Sequence, residues 1–190
     1  MRRIQIFAIA VLLIVTALPA AAETYEVDAV HSGVHFRVSH LSASMFQGRF
    51  NDVSGSLTFD ENAPEKASIN LEVKAGSVDT RNEQLDGHIE SPDFLNAKQF
   101  PVITFKSKSF KKKGDNTYEV TGDFTLRGKT KEVTVEAEHI GSSNMGQFGP
   151  RIGFSTSFTI NRRDFDVNYG TNEAVGDEIT LIVDIEGAKK

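Results

Sequence analysis

From Val34 to Ile185 the chain reads as a series of short runs in which apolar and polar residues alternate. Val34, Phe36 and Val38 are separated by His35 and Arg37; Ile69, Leu71 and Val73 are separated by Asn70 and Glu72. The same period of two runs through Tyr118, Val120, Phe124 and Leu126, and through Val133, Val135 and Ala137. It returns at Ile152, Phe154, Phe158 and Ile160, and finally at Ile179, Leu181, Val183 and Ile185. Successive side chains of a strand point to opposite faces, so each run predicts a strand with one buried face. Phe50, Leu57 and Phe59 belong to a longer segment that Gly48 and Gly55 are expected to bend or bulge. Ile103 and Phe105 supply a further strand, and Arg127-Gly128-Lys129 reads as a tight turn. The sum is about eight strands with short connections and no helical crossover, an antiparallel all-β chain. Closing such a sheet into a barrel removes its exposed edges.

One stretch breaks the alternation. Between Asn82 and Ala97 the large apolar residues Leu85, Ile89, Phe94 and Leu95 fall at spacings nearer to helical ones. Ser91 followed by Pro92 has the form of an N-cap and first helical position, which predicts a second short helix there. Phe100-Pro101 ends the helical reading, and Val102 to Ser107 returns to strand. A helical insert with four apolar groups must lie on something, and the open end of a barrel is the simplest support.

The first 22 residues stand apart. Arg2 and Arg3 precede an apolar run from Ile6 to Leu18, followed by Pro19 and Ala20-Ala21-Ala22. That is the pattern of a secretory signal peptide, cleaved after Ala22. The run is shorter than the ~20 residues of a membrane span. The expected division is therefore a signal at 1–22 and one domain at 23–190, exported to the periplasm and not inserted in a membrane after cleavage. There is no cysteine, hence no disulfide framework, and a structure built on packing alone is expected. The net charge of the whole chain is −5, and loss of Arg2 and Arg3 makes the remainder more acidic. That argues against nucleic acid or anionic membrane surfaces as partners. Lys111-Lys112-Lys113 ahead of Gly114-Asp115-Asn116 reads as a solvated hairpin tip.

Two all-β readings have to be separated. Opposite the apolar face lie Glu72, Lys74, Asp123, Glu132, Glu136 and Asp184. A small barrel has no aqueous lumen for so many charges. Facing lipid, each basic residue would cost about 2–4 kcal/mol near the bilayer midplane. The apolar face therefore points inward, in a soluble barrel. Eight strands enclose a space that side chains just fill or that holds one small ligand. The pattern alone leaves both open.

Several short motifs resemble one family. Asp86-Gly87-His88-Ile89-Glu90-Ser91-Pro92-Asp93-Phe94, then Phe100-Pro101 and Phe105-Lys106-Ser107, are similar to the YceI-like family. So are Tyr25 to Ser32, Gly122 to Thr130, and Ile160 to Phe165. Each motif is short, and their order and spacing carry the specificity. Asp166 departs from the pattern, standing where the family commonly has Gly. The resemblance implies a periplasmic, lipocalin-like eight-stranded barrel with the short helical insert closing one end. It further implies a lengthwise cavity for a polyisoprenoid such as an isoprenoid quinone or polyprenyl tail, or a related long-chain lipid. An acyl chain would satisfy the same physics.

The expected ligand-binding residues are the inward-facing Val34, Phe36, Val38, Phe50, Ile69, Leu71, Val73, Phe105, Phe124, Phe154 and Phe158, with Phe94 and Leu95 at the lid. A candidate polar cluster of Asp28, His31, His88, Arg163 and Asp164 would fix strand ends or meet a head group. For both histidines a hydrogen-bonded structural role is the alternative. No metal site, cofactor or catalytic residue is expected. The sequence holds no HExxH pair, GxSxG elbow, P-loop or dinucleotide fingerprint. Glu83, Asp86, Glu90 and Asp93 read as the solvated face of the insert. The expected function is thus non-catalytic carriage of a long-chain amphiphile. A packed-core stress-related protein, or an enzyme acting on isoprenoid or fatty-acyl compounds, is the alternative. Whether the chain forms a homodimer is not fixed by the sequence.

Overall fold

The computed structural model describes residues 23–189. Residues 1–22, with the expected signal peptide and cleavage site, lie outside the described residues. Eleven strand segments form one sheet: β1 (Glu23–Val27), β2 (Gly33–His40), β3 (Ser44–Phe50), β4 (Val53–Phe59), β5 (Ser68–Lys74), β6 (Val78–Asp79), β7 (Val102–Lys112), β8 (Thr117–Leu126), β9 (Lys129–Asn144), β10 (Pro150–Asn161) and β11 (Val175–Ala188). Every pairing is antiparallel.

The eleven segments make eight barrel strands because the first three are each broken in two. β11 pairs with β10 along one edge, and its other edge is shared by β2 (Leu181↔Phe36) and β1 (Val27↔Gly187). β3 lies against β2 and β4 against β1; β6 lies against β3 and β5 against β4. The ring closes through β1 and β11. The breaks are hydrogen-bonded. At the first, Asp28 Oδ1 accepts from the Val30 amide and the Asp28 carbonyl accepts from the His31 amide. At the second, the Asn51 amide donates to the Ser77 carbonyl and the Asp52 amide to Ser77 Oγ, so Ser77, in the third break, serves both.

Burial follows the sequence alternation. In β8 every second residue from Tyr118 to Leu126 is buried, and in β2 the buried set is Val34, Phe36 and Val38. Arg127 (φ 49°) and Gly128 (φ 72°) form the two-residue turn into β9, the left-handed pair whose twist matches a hairpin. Asp166 also adopts the left-handed conformation (φ 59°, ψ 21°), which explains why this turn suits glycine. Lys111 and Lys113 at the β7–β8 hairpin both pair with Glu119 at the surface.

The insert begins with α1 (Glu83–Glu90), capped by Asn82, whose side chain accepts from the Leu85 amide at 3.1 Å. Asp86 ties it to the strand before it, accepting from the Thr80 amide at 2.7 Å and from Thr80 Oγ1 at 2.6 Å. The second helix expected at Ser91-Pro92 does not form; Ser91 ends α1 instead. The amides that such a helix would use turn back on α1: Leu95 N donates to the Ile89 carbonyl and Ala97 N to the Glu90 carbonyl, both at 2.9 Å. They satisfy carbonyls that a helix C-terminus leaves unpaired. At the same end of the barrel β6 pairs only with β3, while β7 pairs with β5 from Lys74↔Val102 onward. The wall is therefore notched between β6 and β7, and the insert spans the notch.

Gly55 in β4 has φ 147°, and a Cβ there would lie 2.1 Å from the Asn70 carbonyl oxygen of β5. Gly55→Ala is expected to cost more than about 2 kcal/mol in urea unfolding, because both strain and a backbone clash must be relieved.

Candidate functional site

The barrel interior is filled unequally. At the end opposite the insert it is solid. Phe59, Tyr118 and Phe154 meet edge to face with centroids 5.0–6.3 Å apart, and Phe110 joins them at 6.5 Å. Tyr25, Leu57 and Ile152 complete this plug. Above it the side chains leave the middle of the tube open, a cavity of about 510 Å³ that extends to the insert.

All thirteen residues expected to contact a ligand lie on its wall. Val34, Phe36 and Val38 come from β2, Phe50 from β3, and Ile69, Leu71 and Val73 from β5. Phe105 comes from β7, Phe124 from β8, and Phe154 and Phe158 from β10. Phe94 and Leu95 of the insert cover the top, joined by Leu85 and Ile89. Phe46 of β3 also lines the cavity and escaped the sequence reading. It stands in register with Phe36's strand through Gly48, where a Cβ would lie 2.4 Å from Phe36 Cζ. The ring of Phe36 occupies the space a side chain at 48 would take, which hides the alternation.

The mouth is built from three segments. His88 of α1, Phe94 and Tyr169 of the β10–β11 connection form a mutual ring contact with centroids 4.9–5.0 Å apart. His88 Nε2 lies 3.2 Å from Asp93 Oδ2. Arg127 in the β8–β9 turn donates from Nη1 to the Phe94 carbonyl at 2.7 Å. The insert is thereby tied to two other loops across the opening.

The β10–β11 connection is organised on Arg162, which is 0% exposed. Its Nε donates to the Gly176 carbonyl, Nη1 to those of Val167 and Tyr169, and Nη2 to Val175, at 2.7–3.0 Å. Nη2 also lies 3.0 Å from Asp177 Oδ1. A buried guanidinium has five donors to satisfy, and here backbone carbonyls and one carboxylate satisfy them. The sequence reading selected the neighbouring Arg163 instead. Counting by twos from the inward Ile160 points to position 162, a signal masked by the charge of the residue.

The five residues of the expected polar cluster are not brought together. Asp28 and His31 pair with each other at 3.0 Å, beside Arg151, whose Nη1 donates to Asp28 at 2.9 Å. His31 first, then the Val30 amide and Arg151, hold the Asp28 carboxyl below its usual range. Arg163 sits at the mouth on Asp177 at 2.7 Å, Asp164 lies 4.0 Å from Lys131, and His88 belongs to the insert. Asp28 bonds to Glu186, whereas Asn161, next to Arg162, pairs with Glu178. Eight residues of β11 separate the two groups, about 26 Å along the strand. Asp28, His31 and Glu186 have donor atoms close enough for a cation, but Arg151 already lies 2.9 Å from Asp28 and 3.6 Å from Glu186. A guanidinium supplies the positive charge there.

His139 was missed altogether. It is 4% exposed in the plug, against the rings of Phe59 and Phe154. Its Nε2 bonds to Ser142 Oγ at 3.0 Å, and Nδ1 lies 3.5 Å from Glu61. Burial pushes its imidazole below the ordinary value, with Glu61 opposing in part.

Among the described residues no helix is long and apolar enough to cross a membrane. Residues 25–187 match the model of the YceI-like domain. The chain is 39% identical over 186 residues to protein YceI of Salmonella newport, covering 97% of this chain and 96% of the relative. Among solved structures, the Campylobacter jejuni YceI protein is 32% identical, with a TM-score of 0.72 over 80% of this chain and 90% of that one. Burkholderia cenocepacia BcnA shares the fold, with a TM-score of 0.78 over 84% of this chain and 98% of that one at 24% identity. A polyisoprenoid-binding domain from Saccharophagus degradans also shares it, with a TM-score of 0.67 over 87% of this chain and 98% of that one at 14% identity.

Two predictions follow from the buried polar residues. Arg162→Met leaves a set of inward carbonyls and Asp177 without their cation, and is expected to cost about 3–5 kcal/mol in urea unfolding. Arg163→Met, at a partly exposed pair, is expected to cost less than about 1 kcal/mol. His139 resists protonation when folded and not when unfolded. Its contribution is therefore complete above ~6.5 and is lost as pH falls below that value through the lowered folded pKa. Thermal melts between about pH 7 and pH 5 should show a decline in Tm that His139→Gln flattens.

Proposed function

The chain belongs to the YceI-like family, and from that premise we propose that it binds and carries a long-chain amphiphile, most simply a polyisoprenoid, without catalysing its conversion. The carrying observation is the cavity of about 510 Å³, walled almost wholly by aliphatic and phenylalanine side chains. That is within the usual size of a small-molecule site, ~300–1,000 Å³. Each CH₂ moved from water into such a space contributes about 0.8 kcal/mol. Association costs on the order of 4–15 kcal/mol in lost freedom. A tail of more than ten or so enclosed carbons is needed to outweigh that cost, which favours a long apolar tail over a compact solute.

The one arginine of the wall, Arg162, has its donors taken by backbone carbonyls and Asp177, so recognition along the tail rests on shape. Polar groups concentrate where the insert meets the β10–β11 connection: His88, Asp93 and the Tyr169 hydroxyl. A head group would rest among them. The related Saccharophagus domain is described as polyisoprenoid-binding, which supports the choice of tail. Residues 1–22 have the pattern of an export signal, which supports carriage across the periplasm between apolar compartments.

The test is native mass spectrometry of protein purified from the periplasm, followed by organic extraction. One apolar molecule per chain is expected to copurify. Phe124→Asp places a carboxylate in the cavity wall and should abolish retention, whereas Phe158→Leu should keep the fold by thermal melt and weaken retention. Failure of the wild-type protein to retain or take up any long-chain lipid would overturn the reading.

A further inference from the structure

Large apolar side chains are exposed at both ends of the barrel, and only one set adjoins the cavity. Val30, Ile140, Met145 and Phe148 stand at the plug end, with the interlocked rings between them and the open part of the tube. Leu41, Met45 and Tyr169 stand at the mouth. Tyr169 itself lines the cavity, Leu41 follows His40, which lines it too, and Met45 precedes the lining Phe46 in β3. The apolar surface of the interior therefore continues over the rim on two elements, the β2–β3 hairpin and the β10–β11 connection. The two are joined: the Leu41 amide donates to the Ala174 carbonyl at 3.0 Å, and Ser42 Oγ to the Glu173 carbonyl at 3.4 Å.

Leu41 is the residue that local stability does not account for. It is 63% exposed, so it adds little to the core. Its φ of 51° lies in the left-handed region, which disfavours a bulky side chain and suits glycine or asparagine. Exposure and backbone strain both count against leucine here, and a residue kept against both points to a use outside the fold. The hairpin around it is uncharged: from Val38 to Gly48 there is no Asp, Glu, Lys or Arg. Across the rim the charges of the neighbouring loops are mostly paired, Asp164 with Lys131, Asp166 with Lys129 and Asp177 with Arg163. Isolated apolar tips on an electrically quiet rim, around an apolar opening, match the boundary between head groups and acyl chains. Such a boundary takes leucine, methionine and tyrosine side chains ~5–10 Å deep with no charged contact. A protein partner would call for a broader continuous face with polar groups around it.

We propose that the protein docks mouth-first on a zwitterionic lipid bilayer, with Leu41, Met45 and Tyr169 seated at the head-group boundary, so that a tail passes between bilayer and cavity without crossing water. This rests on the carrier reading and names the surface that loads it.

The test uses the full chain as purified from the periplasm and sucrose-loaded vesicles of phosphatidylcholine, with or without phosphatidylglycerol. Wild-type protein is expected to sediment with phosphatidylcholine vesicles equally at low and high salt. Leu41→Asn should lower that partitioning by about tenfold, the effect of returning a leucine side chain to water. Its Tm should equal or exceed that of the wild type, because asparagine suits the left-handed turn. A merely structural Leu41 gives the reverse, a lower Tm with partitioning unchanged, and that result would overturn the proposal. The chain has no tryptophan, so Met45→Trp and Phe148→Trp each place a single fluorescent reporter, one at either end. Brominated phosphatidylcholine should quench the first and spare the second. Quenching of Phe148→Trp, alone or together with Met45→Trp, contradicts mouth-first docking, as does sedimentation only with phosphatidylglycerol vesicles or with neither kind. Native mass spectra of the same preparations keep the two readings apart. Lipid retained without vesicle binding overturns the docking alone, whereas a folded protein that takes up no lipid removes the carrier reading with it.

Discussion

An antiparallel sheet with one greasy face has to end somewhere, and here it ends on itself. β11 makes this closure. One edge holds β10 over its whole length, and the other is divided between β2 and β1. Because backbone donors and acceptors on both sides of β11 find partners within the same chain, that strand leaves no edge to pair with a second molecule. The broken first three strands are part of the same solution. Breaks at Asp28–Ser32, at Asn51-Asp52 and at Ala75–Ser77 let the wall change direction, and Ser77 ties two of them together.

With the ring fixed, the side chains decide how much of its interior stays free. At one end the rings interlock across the tube, and nearer the insert they line the wall and leave the middle open, so the tube is blind at the plug and roomy beneath the insert. The opening is framed by two arginines acting on backbone carbonyls. Arg162 gathers the β10–β11 connection from inside, and Arg127 reaches the Phe94 carbonyl from the adjacent turn. Both use the fixed fork of the guanidinium to hold irregular backbone that has no ladder of its own. Order at the mouth therefore depends on side-chain donors, whereas order in the wall depends on the sheet.

That division also explains what could be read from the sequence. The wall was legible because period two is a direct consequence of the pleat, and the residues it selects, such as Phe124 and Leu71, do face the cavity. Phe46 was hidden by Gly48, whose missing side chain is replaced by the ring of Phe36 from the next strand. His139 continues the parity of Val135 and Ala137, yet a polar residue in that register reads as the end of a strand. Ser91-Pro92 carries a genuine local preference for a helix start, overridden because the amides beyond it cap the helix before it. The cluster drawn around Asp28 and Arg163 failed for another reason: motifs near both ends of one strand are close in chemistry and far apart in space.

The notch between β6 and β7 has a thermodynamic meaning. Elsewhere in the wall a local opening must break ladder bonds on two sides, and the loss spreads around the ring. At the notch the polypeptide from Arg81 to Pro101 is held by capping bonds, ring contacts and one guanidinium, few of them shared with the barrel ladder. Segments bonded so locally are the kind that open below the cost of global unfolding. A path into the interior that runs beside the insert crosses caps and ring contacts and leaves the ladder bonds of the wall intact.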